Sequence, residues 1–119
     1  EIYYADHVEF DSQVQVRNWT GEHAPLHLVP SGLVFLAHMK TEEVDAYLDE
    51  TLEVTTAQSE VDPVKIRQRL EQIRRVGYCW GHQEFAEDLN SMAAPVFNAR
   101  GNLVAALHVH GPAYRFPDP

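Results

Sequence analysis

His108 and His110 stand two residues apart near the end of the run from Leu103 to His110, and on an extended strand that spacing points both imidazoles to one face. Neighbouring imidazoles can bind an anion, grip a metal or exchange protons near neutral pH. As a protonated anion contact the pair loses affinity when the pH rises through about 6.5, whereas metal ligation needs neutral rings and runs the other way. Two histidines are an incomplete metal set; a further ligand has to come through the fold from His27, His82 or Glu84, and no metal or other cofactor is assigned. Ser31 and Gly32 open a helix, so their amides can receive a carboxylate in the field of the helix N-terminus, while the Ser31 hydroxyl can serve as a plain N-cap. Trp80 is either an aromatic wall for a ring-bearing ligand or ordinary core.

An enzyme is the rival class. Cys79 with histidines elsewhere could act as a thiol nucleophile in a redox or metal-dependent domain, but it is the only cysteine, so a second, resolving thiol is missing. No Ser-His-Asp order, phosphate loop or HExxH motif occurs, which leaves acyl transfer, nucleotide hydrolysis and zinc proteolysis without support. The expected class is therefore a binding module and not an enzyme. A formal net charge of -9 opposes a phosphate backbone, so this chain is not expected to hold DNA by itself. At 119 residues and 45% hydrophobic content it has the length and composition of one folded domain. The lone cysteine suits a reducing cytoplasm, and the longest apolar run, Leu33 to Ala37, is far too short to span a membrane.

The elements that must position these groups follow from local chemistry. Glu1 to Phe10 and Gln13 to Trp19 read as an early β-hairpin, with Trp19 in the core, and Thr20 to His23 as the loop after it. Ala24 to Gly32 reads as a linker, because Pro25 and Pro30 oppose regular helix. Leu33 to Met39 is apolar on nearly every side, as a buried helix is, and Thr41 is placed to cap a second helix whose buried stripe is Val44, Leu48 and Leu52. Glu53 to Ser59 reads as a polar loop. Asp62 caps a third helix with Pro63 at its first position, Ile66, Leu70 and Ile73 at helical spacing, and Gly77 at its end. Acids crowd the segment from Glu42 to Asp62 and bases crowd the third helix, which predicts two solvated faces that attract each other.

Beyond Gly77 a sensor-like loop leads into a hairpin of Met92 to Phe97 and Leu103 to His110, joined by Asn98-Ala99-Arg100-Gly101-Asn102. Alternation puts Leu103, Ala105, Leu107 and Val109 on one face, expected to be core, and Val104, Ala106, His108 and His110 on the other.

These segments, in this order, resemble the C-terminal effector-binding domain of the IclR family of bacterial transcription regulators. The resemblance rests on Pro25-Leu26-His27 through Gly32 leading into the apolar helix, Arg75-Val76-Gly77-Tyr78, Glu84, Ala93-Ala94-Pro95-Val96-Phe97, Gly101, Ala105-Ala106-Leu107, and Gly111-Pro112 with Arg115. It implies an α+β, GAF-like sensor, an antiparallel sheet flanked by helices, with residues 1–119 a partial effector-binding domain. The family's winged helix-turn-helix and a C-terminal helix would lie outside this chain. It further implies a small organic acid as effector, aromatic acids included, DNA contact only through the missing N-terminal domain, no membrane partner, and a homodimer or homotetramer.

Carried over position by position, the family's pocket falls on Ala24, Pro30, Ser31, Gly81, Leu89, Ser91, His108 and His110, and Trp80 is added from its chemistry. Several residue types depart from the members that bind small keto acids. Gly81 stands where the family has an acid, Ser91 where it has a cysteine, His108 and His110 where it has small hydroxyl residues, and Leu33 where lysine is common.

Overall fold

The computed structural model describes residues 2, 3, 5, 23–84 and 86–117. Most of the early hairpin, with Trp19, lies outside the described residues. What is described of it, β1 (Ile2–Tyr3), pairs antiparallel with β2 (His23–Ala24), so His23 and Ala24 are strand and not loop or linker. A 3-10 helix (Leu26–Leu28) follows, then α1 (Pro30–Ala37), α2 (Thr41–Leu48) and α3 (Pro63–Val76). A three-stranded antiparallel sheet completes the chain, β3 (Cys79–His82), β4 (Leu89–Phe97) and β5 (Leu103–Pro112), in the order β3-β4-β5. The architecture is α+β, with helices on one face of an antiparallel sheet.

Helix α1 starts earlier than its apolar run. Pro30 begins it, because a proline at the first helical position lacks only an N–H that has no partner there and already holds a helical φ. The first helical bond runs from the Leu33 amide to the Val29 carbonyl at 3.0 Å, which makes Val29 the N-cap residue and places Ser31 inside the first turn, where its hydroxyl does not cap. Helix α2 also starts earlier than expected, by one residue. The Val44 amide bonds the Lys40 carbonyl at 3.0 Å, so Lys40 is the N-cap residue and Thr41 is already helical. Helix α3 follows its sequence signals throughout: the Asp62 carboxylate accepts from the Val64 amide at 3.0 Å, Pro63 is first, and Gly77 closes it at φ 87°.

The core lies where α1 and α3 meet the sheet. Leu33, Val34 and Leu36 of α1 are buried against Ile66, Leu70 and Ile73 of α3, and Cys79 and Ala93 complete the contact from the strands. Each large aliphatic side chain so buried contributes roughly 1.5 to 3 kcal/mol. The charge segregation acts as expected, with Arg67 of α3 2.6 Å from Asp45 of α2 and Lys65 3.9 Å from Glu60. Both are exposed pairs of small energetic weight.

The sheet corrects the face assignment of β5. Leu107 and Val109 are 72% and 47% exposed and Ala105 is exposed as well, whereas Ala106, His108 and His110 turn toward α1. Leu103 rejoins the core side because a register shift at Val96/Phe97 leaves Val104 as an extra residue against β4. The imidazoles are therefore on the inner face. The turn behaves as its sequence demands: the Asn98 side chain accepts from the amides of Arg100 and Asn102, both at 3.0 Å, and Gly101 takes φ 81°. Residues 79 to 82, expected in a loop, form β3, pairing Cys79 with Ala93 and Gly81 with Ser91.

Arg69 ties α3 to β3. Its guanidinium donates to both Glu84 carboxylate oxygens, at 2.7 and 2.8 Å, and to the Trp80 carbonyl, and it approaches the Cys79 sulfur at 3.8 Å. Burial pushes the Cys79 thiol up to about 11, outweighing the opposite pull of Arg69. Two outcomes follow. At pH 8 the native protein should present roughly a hundredfold less thiolate than an ordinary thiol at 9.0, so iodoacetamide should label Cys79 slowly until denaturant is added; equal rates in both states would contradict the burial. A methyl group on Gly32 would fall 2.2 Å from the Leu26 carbonyl oxygen, so Gly32→Ala should cost at least the ~1 to 3 kcal/mol of ordinary overpacking, and an unchanged melting temperature would count against this seating.

Candidate functional site

A small, partly open cavity lies between the start of α1 and the inner face of the sheet. Leu28, Val29 and Pro30 form one wall as the chain passes from the 3-10 helix into α1, and Ser31 follows at the helix start. Glu84 and Ala86 from the connection between β3 and β4, with Leu89 at the start of β4, form a second wall. The floor is the sheet itself. Gly81, Ser91 and His110 stand side by side across three strands, because Gly81 pairs with Ser91 and Ser91 with His110, and His108 lies one inward-facing position further along β5.

The close approach of helix and sheet depends on a missing side chain. A Cβ on Gly81 would come within 2.8 Å of the Pro30 ring, so this glycine lets the first turn of α1 settle onto β3. The amides of Ser31 and Gly32 precede the first helical bond and sit at the positive end of α1. The apolar residues can cover the body of a ligand, while Ser31, Ser91 and the two histidines supply polar contacts at its edge.

The histidines are joined to each other, His108 Nε2 lying 3.0 Å from His110 Nδ1. Among the described residues, Glu84 brings an acid to the cavity wall, and its carboxylate is clasped by Arg69. That wall is held from behind as well. The Glu84 carbonyl accepts from the hydroxyls of Ser59 at 2.6 Å and Thr55 at 3.2 Å, and the Gln83 carbonyl accepts from Thr56 at 2.6 Å. Gln83 takes φ 58°, a left-handed conformation that reverses the chain between β3 and this wall. The polar loop from Glu53 to Ser59 thus braces the cavity, with Thr56 buried. It also reaches the opposite wall: the Glu53 carbonyl lies 2.7 Å from His27 Nε2, and His27 Nδ1 lies 2.7 Å from the Tyr47 hydroxyl. Burial raises Tyr47 above its ordinary value, which keeps this hydroxyl protonated and able to donate to Nδ1.

Of the residues singled out in the sequence, Pro30, Ser31, Gly81, Leu89, Ser91, His108 and His110 come together around this cavity. Trp80 does not. Alternation along β3 turns it to the opposite face of the sheet from Gly81, where it packs 5.9 Å from His82 and 5.5 Å from Phe116, ring centre to ring centre. Ala24 is buried in the core beside β1 and does not line the cavity. Leu28, Val29, Glu84 and Ala86 line it without having been assigned there. The first two had a signal, their adjacency to Pro30; the position of Glu84 and Ala86 depends on the reversal at Gln83, which the sequence does not announce. Of the further ligands considered for a metal, His82 faces the other side of the sheet, His27 is held by Tyr47 and Glu53, and Glu84 lines the cavity with its carboxylate bound to Arg69. Among the described residues, no group of three His, Cys, Asp or Glu side chains is placed to hold a metal. Cys79, protonated in the core, is no thiolate nucleophile.

Known proteins resemble this chain along nearly its whole length. Residues 1–118 match the family model described as "Bacterial transcriptional regulator IclR C-terminal". The chain is 29% identical over 119 residues to the transcriptional repressor IclR of Escherichia coli K12, covering 99% of this chain and 43% of that protein. It therefore spans less than half the length of the curated relatives it matches. The crystal structure of Thermotoga maritima IclR superposes with a TM-score of 0.83 at 27% identity, over 93% of this chain and 45% of that one. The inducer-binding domain of a PobR double mutant from Acinetobacter, solved with 3-hydroxybenzoic acid, gives 0.80 at 25% identity, over 88% of this chain and 61% of that one. With relatives that are transcription regulators and a family match that runs from end to end of the described sheet and helices, this chain belongs to the IclR family of bacterial transcription regulators.

Proposed function

We propose that this chain is the effector-sensing domain of an IclR-type regulator, and that the cavity between α1 and the sheet receives a small organic acid. The observation that carries this reading is the convergence of the α1 start, Ser91 and the histidine pair on one partly apolar cavity. The ligand's carboxylate is placed toward the Ser31 and Gly32 amides and the imidazoles, and its carbon body against Leu28, Val29, Ala86 and Leu89. Aromatic acids are within the proposed class, since the PobR domain was solved with 3-hydroxybenzoic acid. Small keto acids fit less well, because the positions at Gly81, Ser91, His108 and His110 all differ from the members that bind them.

Effector binding is proposed to change how the whole regulator sits on its operator, in the cytoplasm and as a homodimer or homotetramer, with DNA held by a domain outside this chain. The net charge of -9 is consistent with that division of labour. If an effector weakens operator binding tenfold, the DNA-bound regulator must bind that effector tenfold more weakly, a coupling of about 1.4 kcal/mol.

Calorimetry with a panel of aliphatic, keto and aromatic carboxylates, headed by 3-hydroxybenzoate, tests the assignment. At least one acid should bind, and changing both His108 and His110 to Ser should weaken it at least ~10-fold, the equivalent of one lost bond to a charged group, with the melting curve still cooperative. Unaltered affinity in a folded double variant would contradict the site. Failure of every acid to bind would contradict the ligand class.

A further inference from the structure

The cavity wall that carries Glu84 and Ala86 is held in place by groups that stand behind it. Gln83 keeps φ 58°, which a residue other than glycine does only where its surroundings hold it there. Its amide donates to the Leu89 carbonyl at 3.0 Å and closes the β3–β4 connection. Its carbonyl accepts from Thr56, and the Glu84 carbonyl accepts from Ser59, both at 2.6 Å.

The direction of these hydroxyl bonds is fixed, because a hydroxyl has one proton and two lone pairs. The Ser59 oxygen accepts from the amides of Thr55 and Thr56 at 3.1 and 3.0 Å, so both lone pairs are taken and its proton goes to the Glu84 carbonyl. Thr56 Oγ1 accepts from the Gln58 amide at 3.1 Å, and the Gln83 carbonyl at 2.6 Å takes its proton ahead of the Glu84 carbonyl at 3.4 Å. The Ser59 amide in turn donates to the Thr56 carbonyl at 3.2 Å, which closes the turn that carries both hydroxyls.

The same segment is fastened to the opposite wall. A carbonyl only accepts, so His27 Nε2 donates to the Glu53 carbonyl at 2.7 Å, and His27 directly precedes Leu28 of that wall. One short piece of chain, from Glu53 to Ser59, thus ties both walls together. Arg69 holds the side chain of Glu84 from α3, whereas the backbone of its wall is held by Thr56 and Ser59.

We propose that Thr56 and Ser59 are positioning residues for the effector. Without touching the acid, they keep the two walls at the separation at which it binds, so that closure of this strap and occupancy of the cavity are coupled. The proposal rests on the reading of this cavity as the effector site. A wall released from its place lowers the population competent to bind, and the apparent affinity falls by the same fraction. Coupling is reciprocal, so a bound acid must hold the strap closed.

Thr56→Val removes the hydroxyl and Thr56→Ser keeps it. In calorimetry with 3-hydroxybenzoate, Thr56→Val should bind at least about tenfold more weakly and Thr56→Ser within about threefold of the wild type. Equal losses in the two variants, or no loss in a folded Thr56→Val, would overturn the proposal. In the wild-type protein, hydrogen exchange at the Thr56 and Ser59 amides should slow when 3-hydroxybenzoate saturates the cavity, and unchanged exchange would overturn it whether or not a variant folds. If that acid does not bind, the effector reading bears the failure, and NMR relaxation dispersion decides the strap without ligand. The amides of Gln83, Glu84 and Ala86 should then move between two states in Thr56→Val, or in Ser59→Ala if that variant does not fold, and not in Thr56→Ser; a wall that keeps to one state in the folded variant would overturn the proposal.

Discussion

The seating of α1 on the sheet is the constraint from which the rest of this domain follows. Gly81 lets the Pro30 ring approach β3, and Gly32 lets the helix pass against the backbone of Leu26. With those two contacts made, the buried side chains Leu33, Val34 and Leu36 fall against α3 and the inner sheet face. The start of the helix then stands over Ser91 and the histidine pair. A core contact and a cavity thus share one helix, its body packed and its N-terminal end lining the opening.

The cavity walls are not left to hydrophobic packing alone. Arg69 fastens Glu84 to α3, while the hydroxyls of Thr55, Thr56 and Ser59 hold the carbonyls of Gln83 and Glu84. The same loop reaches His27 through the Glu53 carbonyl, one residue before Leu28 in the opposite wall. Several such bonds, each of about 0.5 to 1.5 kcal/mol, brace both sides of the opening through one segment. An electrostatically costly group, the buried Glu84 carboxylate, is tolerated because its partner Arg69 is in place.

Much of this was legible from residue types. Helix α3 carries its own start, stripe and stop in Asp62, Pro63, Ile66, Leu70, Ile73 and Gly77, and the hairpin turn carries Asn98 and Gly101; local chemistry decides both. The start of helix α1 is ambiguous in the sequence because Pro30 and Ser31 each permit two readings, breaker or first residue, cap or first turn. The choice is made by where the first helical bond forms. Alternation along β5 correctly paired His108 with His110 but could not tell which face is covered, since Leu107 and Val109 are as apolar as any core residue and yet exposed. Trp80 was drawn to the cavity by its chemistry alone; one residue of register on β3 turns it away and gives its place to Gly81. The joining of the two imidazoles by a hydrogen bond needed side-chain coordinates, because strand spacing sets a common face and not a ring orientation.

The central claim is that an acid binds between α1 and the inner sheet face. Amide NMR of the labelled protein titrated with 3-hydroxybenzoate tests it most directly, residue by residue. The account predicts that the largest shifts fall on Ser31, Gly32, Ser91, His108 and His110, with Trp80 and Leu107 on the outer face nearly unmoved. Saturable shifts centred on Trp80, His82 and Val109, with the α1 start silent, would contradict it.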